Sequence, residues 1–266
     1  MSAEPVEKQT MTAVRRADVC AVAIAEAFRG DGEILVSPMG TLPSIGARLA
    51  RLTFEPDILL SDGEAFLLAD VPPLGTPLSQ SVVEGWIPYR QVFDVVASGR
   101  RHVMMGASQI DPTGNQNISC IGDQAHPKSQ LLGARGAPGN TVNNRTSYWV
   151  PKHSTRVFVP AVDMVSGVGY ARAAAAGAAA ARYHRLGRVI SDLAVLDFGD
   201  APGADAKMRL VSVHPGVTVD EVVAATGFEL EGASGEVPIT REPTAEEQRI
   251  IAELDPKGLR YKEVPA

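Results

Sequence analysis

Three glycine-rich segments contain the residues best suited to bind a ligand through the backbone. They cover residues 37–43, 61–64 and 133–140, and each follows an apolar run that is typical of a buried strand. Glycine lets a ligand approach backbone N–H groups, which bind a phosphate or a developing oxyanion. Because ligands bind at the carboxyl ends of strands in open α/β sheets, the three segments together predict one ligand site. Taken alone, each segment is better explained by a tight turn.

A basic stretch surrounds the third of these segments, in a chain that is acidic overall. No Asp or Glu occurs from residue 124 to residue 162, although the whole chain has a formal net charge of −6. The basic residues of the stretch are Lys128, Arg135, Arg145, Lys152 and Arg156. A local positive field beside a glycine-rich loop suits a ligand that carries phosphate. A solvated surface or a subunit interface would explain the same pattern.

The motifs that the sequence lacks argue against several other kinds of site. It contains neither the G-x-G-x-x-G nor the G-x-x-x-x-G-K-[ST] nucleotide motif, and it has no G-x-S-x-G nucleophile turn. The two cysteines form no metal motif and the histidines are scattered along the chain, so we predict no metal site. These histidines are His102, His126, His153, His184 and His214.

The composition is that of a globular protein, and it argues against two classes of partner. Hydrophobic residues make up 45% of the 266 residues, whereas a disordered chain contains far fewer. The net negative charge argues against a general nucleic-acid binder, which needs a basic face. No apolar run reaches the roughly 18 residues that span a bilayer. The polar start, with Met1 or Met11 as the first residue, lacks the apolar region of a signal peptide and indicates a cytoplasmic protein.

Apolar periodicity predicts alternating strands and helices. Helices are predicted over residues 14–28 and 43–52, and capping boxes at Thr218 and Thr244 predict the starts of two later helices. A polar loop is predicted over residues 111–117. The predicted strands cover residues 32–38, 57–60, 99–110, 156–165, 188–198 and 208–213. This order favours an α/β fold with an open, mostly parallel sheet flanked by helices.

The domain prediction is simple. We predict one α/β domain over residues 14–266, preceded by a flexible tail over residues 1–13. Residues 171–185 are rich in alanine, and Gly177 interrupts them. Because alanine favours helix but buries little apolar area, we interpret this stretch as a surface insertion, helical or mobile, between two strands.

The order of several motifs resembles the β subunits of family I coenzyme A transferases. The most specific motifs are GASQIDPTGNQN at residues 106–117 and HPGVTVDEVVAATGF at residues 214–228. The resemblance covers most of residues 14–230, and it implies the NagB/RpiA/CoA-transferase-like fold. It also implies a homologous α subunit, combined with this chain in an α2β2 heterotetramer. Coenzyme A would then lie in a cleft between the subunits as part of the substrate thioester, with no permanently bound cofactor.

A serine stands where the resemblance implies a catalytic carboxylate. Members of this family carry a glutamate in a short turn after a strand, and this glutamate attacks the thioester carbonyl. The corresponding turn here is Ser61-Asp62-Gly63, so a hydroxyl replaces the attacking acid. Asp62 and Glu64 are alternative nucleophiles, although consecutive side chains of an extended segment point to opposite faces.

The resemblance also implies which residues lie along the substrate cleft. Ser61, Gln109 and Asn117 are expected near the reacting end, in supporting roles. The residues expected to contact coenzyme A are Gly133, Ala134, Arg135, Gly136, Ala137, Gly139, Asn140 and Arg145. Arg135 stands at a position that is often glycine in the family. We expect Arg135 or Arg145 to contact a phosphate or a substrate carboxylate.

The replaced nucleophile predicts a changed reaction on a coenzyme A thioester. Within the family, the chain resembles the β subunits of actinobacterial enzymes that hydrolyse a carbon–carbon bond during degradation of the sterol C and D rings. That resemblance implies ring opening of a steroid-derived acyl-coenzyme A, with the base supplied by the α subunit. Two alternatives remain open. One is a transferase that uses Asp62 or Glu64, and the other is a non-catalytic subunit that completes the cleft of its partner.

Overall fold

The computed structural model describes residues 13–63 and 65–265, so the predicted tail lies almost entirely outside the described residues. The strands, in chain order, are β1 (Leu35–Pro38), β2 (Leu60–Ser61), β3 (Phe66–Leu68), β4 (Val83–Trp86), β5 (Arg101–Gly106), β6 (Gln109–Ile110), β7 (Gln116–Asn117), β8 (Cys120–Ile121), β9 (Ser129–Gln130), β10 (Arg145–Val150), β11 (Arg185–Ser191), β12 (Ala194–Asp197) and β13 (Arg209–Val213). The α-helices are α1 (Arg16–Glu26), α2 (Thr41–Thr53), α3 (Tyr89–Ala97), α4 (Ala137–Asn143), α5 (Tyr170–Ala175), α6 (Ala178–Ala181), α7 (Val219–Ala224), α8 (Ala245–Leu254) and α9 (Arg260–Glu263).

A central sheet combines six of these strands in the spatial order β1-β5-β10-β11-β12-β13. The pairings from β1 to β11 are all parallel, and β12 runs antiparallel to both of its neighbours. Five of the six strands therefore run in the same direction, which confirms the predicted open, mostly parallel sheet. Leu59 bridges Leu35 in a parallel sense, so β2 continues from the edge of the central sheet beside β1.

One face of the sheet packs against α1 and α2. Val36, Met104 and Trp149 contribute side chains from β1, β5 and β10 to the core on this face. The two helices lie close together because Gly46 of α2 has no side chain, and a Cβ at that position would overlap the side chain of Ile24 in α1. Helix α8 closes the same core with its buried apolar face.

The opposite face of the sheet carries a second core and the segments that matter for ligand binding. Val103 and Met105 of β5 alternate with Met104 and point to this second core, together with Ala137 of α4. Three small antiparallel sheets accompany the central one within the described residues: β2-β3-β4, β6-β7 and β8-β9. The alternation of side chains along β5 therefore separates an α1–α2 face from an α4 face.

The structure corrects two predicted strands. Residues 156–165 contain no strand, because Phe158 makes a single bridge to Ile110 and Pro160 has no N–H to donate to a ladder. Residues 188–198 form a hairpin instead of one strand. The Ser191 hydroxyl oxygen accepts hydrogen bonds from the backbone N–H groups of Leu193 and Ala194, and these bonds close the turn between β11 and β12.

The predicted polar loop over residues 111–117 is a tight turn that leads into a strand. Asp111 Oδ1 accepts hydrogen bonds from the backbone N–H groups of Thr113 and Asn115, at 2.9 and 3.0 Å. This turn sends β7 back to pair with β6 in an antiparallel sense. The sequence prediction missed the return strand because two residues give no periodicity.

The structure contains the helix ends that the sequence predicts from local motifs. Both predicted capping boxes are confirmed: Thr218 Oγ1 accepts from the N–H of Glu221, and Thr244 Oγ1 accepts from the N–H of Glu247. In the alanine-rich stretch, α5 and α6 are separated by Gly177, whose φ of +97° suits glycine. Most residues of this stretch are exposed.

Candidate active site

A cavity of about 130 Å³ lies at the turn that follows β2. The end of β1, the start of α2, the Ser61-Asp62-Gly63 turn and α3 enclose it. Its polar lining residues are Ser37, Ser44, Arg48, Ser61, Asp62 and Arg101, and its apolar lining includes Met39, Ile87 and Val92. Two of the three glycine-rich segments thus meet at one cavity, as the sequence predicts for strand ends on the same side of a sheet.

Ser61 reaches the cavity because of strand alternation. Leu60 is buried in the core beneath α1 and α2, so the next side chain along β2 points to the opposite face. Ser61 Oγ accepts a hydrogen bond from the N–H of Gly63 at 3.2 Å, and Gly63 has a φ of +96° that closes the turn. The hydroxyl is therefore held at the cavity by its own turn.

The carboxylate of Asp62 stabilises this turn. Its Oδ1 accepts hydrogen bonds from the backbone N–H groups of Ala65 and Phe66, at 3.0 and 3.1 Å. Such a side chain holds the start of β3 in place, as aspartate commonly does in turns. Asp62 is therefore oriented by the backbone of the turn. Glu64, the other alternative nucleophile, lies outside the described residues.

Two arginines that the sequence analysis missed line the same cavity. Arg101, at the start of β5, donates from Nε to Ser37 Oγ at 2.7 Å and from Nη1 to Asn140 Oδ1 at 3.0 Å. Arg48, in α2, donates to the backbone oxygens of Pro72 and Ser44, at 3.0 and 3.2 Å. Burial lowers the pKa of both guanidinium groups. No sequence motif marks either residue, because each lies within a regular helix or strand.

The third glycine-rich segment reaches the cavity indirectly. Asn140 of α4 is buried and bonds Arg101, so this predicted residue supports a lining residue of the cavity. Gly139 lies against α3, where a Cβ would come within 2.7 Å of Val96 Cγ1. Ala137 is buried and Gly136 precedes it, while Gly133 has a φ of +85°. The segment therefore contacts α3 and Arg101, and none of its described residues lines the cavity.

Arg135 has a backbone conformation that glycine usually adopts. Its φ is +53°, and it is the only non-glycine residue with positive φ among residues 13–63 and 65–265. Its neighbour Ala134 accepts a hydrogen bond from the N–H of Ala137 at 3.1 Å, which closes the turn. The side chain of Arg135 is exposed. A positive φ favours glycine, which explains why glycine would be common at this position in the family.

Gln109 and Asn117 form a buried network away from the lining of the cavity. Asn117 Nδ2 donates to Gln109 Oε1 at 2.7 Å, across the β6-β7 pair. Gln109 Nε2 in turn donates to Asp163 Oδ2 at 3.1 Å. The structure thus brings these two predicted residues together and adds Asp163, which the sequence analysis did not single out. Neither predicted residue lines the cavity at Ser61 within the described chain.

Arg145 lies on the other face of the central sheet. Its Nη1 donates to Asp31 Oδ1 at 2.6 Å, and Asp31 also contacts His102. His102 pairs with Arg145 in register between β5 and β10, and it points toward the α1–α2 face. The structure therefore does not bring Arg145 to Ser61. Its charge is neutralised by an acid with only 2% side-chain exposure, which explains its position without a ligand.

The described residues contain no group of three or more His, Cys, Asp or Glu side chains that could hold a metal ion. His153 and His214 are both buried, and burial lowers their pKa values to about 3 and about 4. They are therefore neutral core residues at pH 7. Among the helices of residues 13–63 and 65–265, none has the length and apolar character needed to cross a membrane.

Comparison with known proteins identifies the family. The model of the coenzyme A transferase family matches residues 18–225. The chain belongs to this family. Its fold matches a chain in the crystal structure of Rhodococcus jostii RHA1 IpdAB with a TM-score of 0.90 and 55% identity, covering 96% of this chain and 100% of that chain. The predicted coenzyme A transferase-like fold is confirmed.

Two relatives are similar over nearly their whole length. This coenzyme A transferase family chain is 56% identical over 257 residues to the cholesterol ring-cleaving hydrolase IpdB subunit of Rhodococcus jostii (strain RHA1), covering 96% of this chain and 98% of that protein. It is 54% identical over 250 residues to the protein of the same name from Mycobacterium tuberculosis (strain ATCC 25618 / H37Rv), covering 94% of this chain and 98% of that protein. The resemblance to ring-cleaving members of the family is confirmed.

Proposed function

We propose that this chain is the β subunit of a heteromeric hydrolase that opens a carbon ring in a steroid-derived coenzyme A thioester. Two relatives more than 50% identical over nearly their whole length bear the name of a cholesterol ring-cleaving hydrolase subunit. Coenzyme A takes part as a portion of the substrate, and no permanently bound cofactor is needed. The α subunit supplies the base, and the enzyme acts in the cytoplasm.

The observation that carries the proposal is the chemistry of the turn after β2. A serine hydroxyl stands at the position of the family's attacking carboxylate, and the neighbouring Asp62 carboxylate, which also lines the cavity, accepts two backbone hydrogen bonds of its own turn. A transferase needs a carboxylate that is free to attack the thioester carbonyl. Hydrolysis needs instead a positioned water, a base and donors for the developing oxyanion. The cavity supplies hydroxyl and guanidinium donors of that kind.

An exposed apolar strip is evidence that this chain binds a partner subunit. It consists of Val82, Val83, Trp86, Tyr89 and Phe93, which continue from β4 into α3. Trp86 and Phe93 are each 64% exposed, and no residue of α3 is buried. A strip of this kind on a single chain indicates a protein interface, where aromatic side chains are common. We assign it to the α subunit, because α3 also encloses the cavity and the proposed cleft lies between the subunits.

The test is product analysis with the reconstituted pair. The full chain is co-expressed with its α subunit and incubated in ¹⁸O-labelled water with a bicyclic, steroid-derived acyl-coenzyme A. We expect a ring-opened product that gains one water and carries the label in a new carboxylate. Ser61→Ala should lower turnover, while the matched substitution Ser79→Ala, at an exposed serine outside the cavity, should not.

The alternatives give different results in the same experiment. A transferase using Asp62 or Glu64 would exchange labelled coenzyme A with an added acceptor acid, and hydroxylamine would modify that carboxylate during turnover. A non-catalytic subunit would leave turnover unchanged after substitution of both Ser61 and Arg135. Either outcome would replace the proposal.

A further inference from the structure

Arg48 and Arg101 carry positive charges that no acid of the described chain neutralises. Their hydrogen-bond acceptors are all uncharged: two backbone oxygens for Arg48, and Ser37 Oγ and Asn140 Oδ1 for Arg101. Burial lowers the pKa of both guanidinium groups, and no neighbouring carboxylate acts against it. In residues 13–63 and 65–265, neither arginine has a carboxylate oxygen within 4.0 Å.

The buried arginine of the described chain, Arg260, is instead paired with acids. Arg260, which is buried whereas Arg48 and Arg101 are half-buried, donates to Asp18 at 2.7 Å and to Asp255 at 3.0 Å. A charge taken from water without a counter-ion destabilises the folded protein, so such pairing is the usual arrangement. Arg48 and Arg101 depart from it at one cavity, Arg48 from α2 and Arg101 from the central sheet. Arg51 also lacks an acid partner in the described chain but lies outside the cavity, so it is the meeting of two such charges at one cavity that indicates a bound anion.

Each guanidinium keeps one donor atom for that anion. The Nη2 atoms of Arg48 and Arg101 make no hydrogen bond to any described residue, and neither is among the buried polar atoms that lack a partner. Neither atom is therefore used by the described fold, and both side chains line the cavity. Arginine donors suit the planar oxygens of a carboxylate, and the hydroxyl of Ser61 adds a further donor.

The size and lining of the cavity select the kind of anion. At about 130 Å³ it has room for a carboxylate with a few attached carbons. Met39, Ile87 and Val92 give it an apolar wall that suits a hydrocarbon group. This apolar wall favours a carboxylate attached to a hydrocarbon group over inorganic phosphate.

We propose that Arg48 and Arg101 bind a carboxylate on the acyl portion of the substrate or product. The inference rests on the proposed function, because hydrolysis of a ring carbon–carbon bond creates such a group. Water adds to the ring carbonyl carbon, and the bond to the neighbouring carbon breaks with its electron pair left on that carbon. That carbon takes up a proton, and the new carboxylic acid releases one. The arginines bind the oxygens that become negatively charged.

A binding experiment tests the site without depending on turnover. The full chain, labelled with ¹⁵N, is titrated with propionate while the Nε–Hε signals of its arginines are recorded. We expect the signals of Arg48 and Arg101 to shift and saturate together. Arg51 is the matched control: it lies in the same helix and donates to two backbone oxygens, but it does not line the cavity. Its signal should remain in place.

Arginine variants and a titration with inorganic phosphate test whether the site binds a carboxylate. Arg48→Gln and Arg101→Gln should each weaken propionate binding about tenfold or more, since a charged hydrogen bond is lost. Arg48→Lys should restore part of the binding, while Arg51→Gln should leave it unchanged. Absence of any shift at Arg48 and Arg101 would overturn the inference. Tighter saturation by inorganic phosphate than by propionate would overturn the assignment to a carboxylate.

The same site is then followed in the reconstituted enzyme. If the pair opens the ring, both glutamine variants should lower kcat/KM about tenfold or more, and Arg51→Gln should not. If the pair opens no ring while propionate still binds at Arg48 and Arg101, the proposed function fails and the anion site stands. If the pair opens the ring and both glutamine variants have the kcat/KM of the unsubstituted enzyme, the carboxylate site is wrong and the proposed function stands.

Discussion

Two buried histidines predict that the chain loses stability in mild acid. His153 stacks on Phe158 and bonds Ser191 and Thr226, while His214 Nε2 donates to the backbone oxygen of Ser191 at 2.9 Å. Burial lowers the pKa of His153 to about 3 and that of His214 to about 4. The unfolded chain therefore binds protons at a higher pH than the folded chain. The stability that these groups contribute is complete above about pH 6.5 and decreases as the pH falls below it.

The magnitude follows from the difference in proton binding. Between pH 7 and pH 5 an unfolded histidine becomes almost fully protonated, whereas His153 and His214 stay neutral in the folded chain. Each histidine then lowers the free energy of unfolding by about 2 kcal/mol, or about 4 kcal/mol for the pair. Acids with a lowered pKa, such as Asp197 and Glu247, add little in this range, because their contribution is lost only below about pH 4.5.

Urea unfolding of the full chain at pH 7 and pH 5 measures the effect. The free energy of unfolding should fall by less between pH 7 and pH 5 in His214→Gln and in His153→Gln, by about 2 kcal/mol less in each. Both substitutions also lower the stability at pH 7. His126→Gln, at an exposed histidine, serves as the control and should leave the difference unchanged. An unchanged pH dependence in both core variants would refute the reasoning, since the buried neutral state would then not be the cause.

Three further substitutions test packing, backbone conformation and the interface. Gly46→Ala should lower the free energy of unfolding by about 1–2 kcal/mol in urea titrations, because overlap with Ile24 outweighs the better helix propensity of alanine; a rise would contradict the close packing of α1 and α2. Arg135→Gly should raise the free energy of unfolding by about 0.5–1 kcal/mol, because glycine adopts a φ of +53° without strain. A lower free energy of unfolding would show that the exposed arginine side chain contributes more than the strain costs. Trp86→Ser should change the stability of the isolated chain by less than about 0.5 kcal/mol, yet weaken association with the α subunit about 30-fold or more in sedimentation experiments. Unchanged association would remove the apolar strip from the interface.

The sequence predicted the parts of the site that depend on local order. The turn at Ser61 could be found because a short apolar run ends there and glycine follows two residues later. The meeting of this turn with residues 37–43 followed from the rule for strand ends, and the cavity brings them together. Gln109 and Asn117 were expected at the reacting end, but they contact each other and Asp163. Nothing in their spacing specified those partners.

The roles of Arg145 and Arg101 could not be assigned from the sequence. Both are basic residues at the start of a parallel strand, and only Arg145 was singled out, because it lies in the basic stretch. In the sheet, Arg145 points to the α1–α2 face and pairs with Asp31, whereas Arg101 points to the cavity face and bonds Asn140. One position of register reverses the face of a side chain, so basic character alone could not assign either role.

The amino-acid sequence by itself determined the alternation of elements, the capped starts of α7 and α8, the serine in the turn after β2 and membership of the family. The alternation and the capped starts depend on periodicity and on hydrogen bonds between residues close in the chain, whereas the serine and the family follow from the identity and order of motifs. Only the tertiary structure decided which side chains share the cavity. Arg48, Ser61 and Arg101 meet because β2 and β5 both lie beside β1, under the start of α2. That order of strands results from burying two cores on opposite faces of one sheet, and no short segment of sequence contains it.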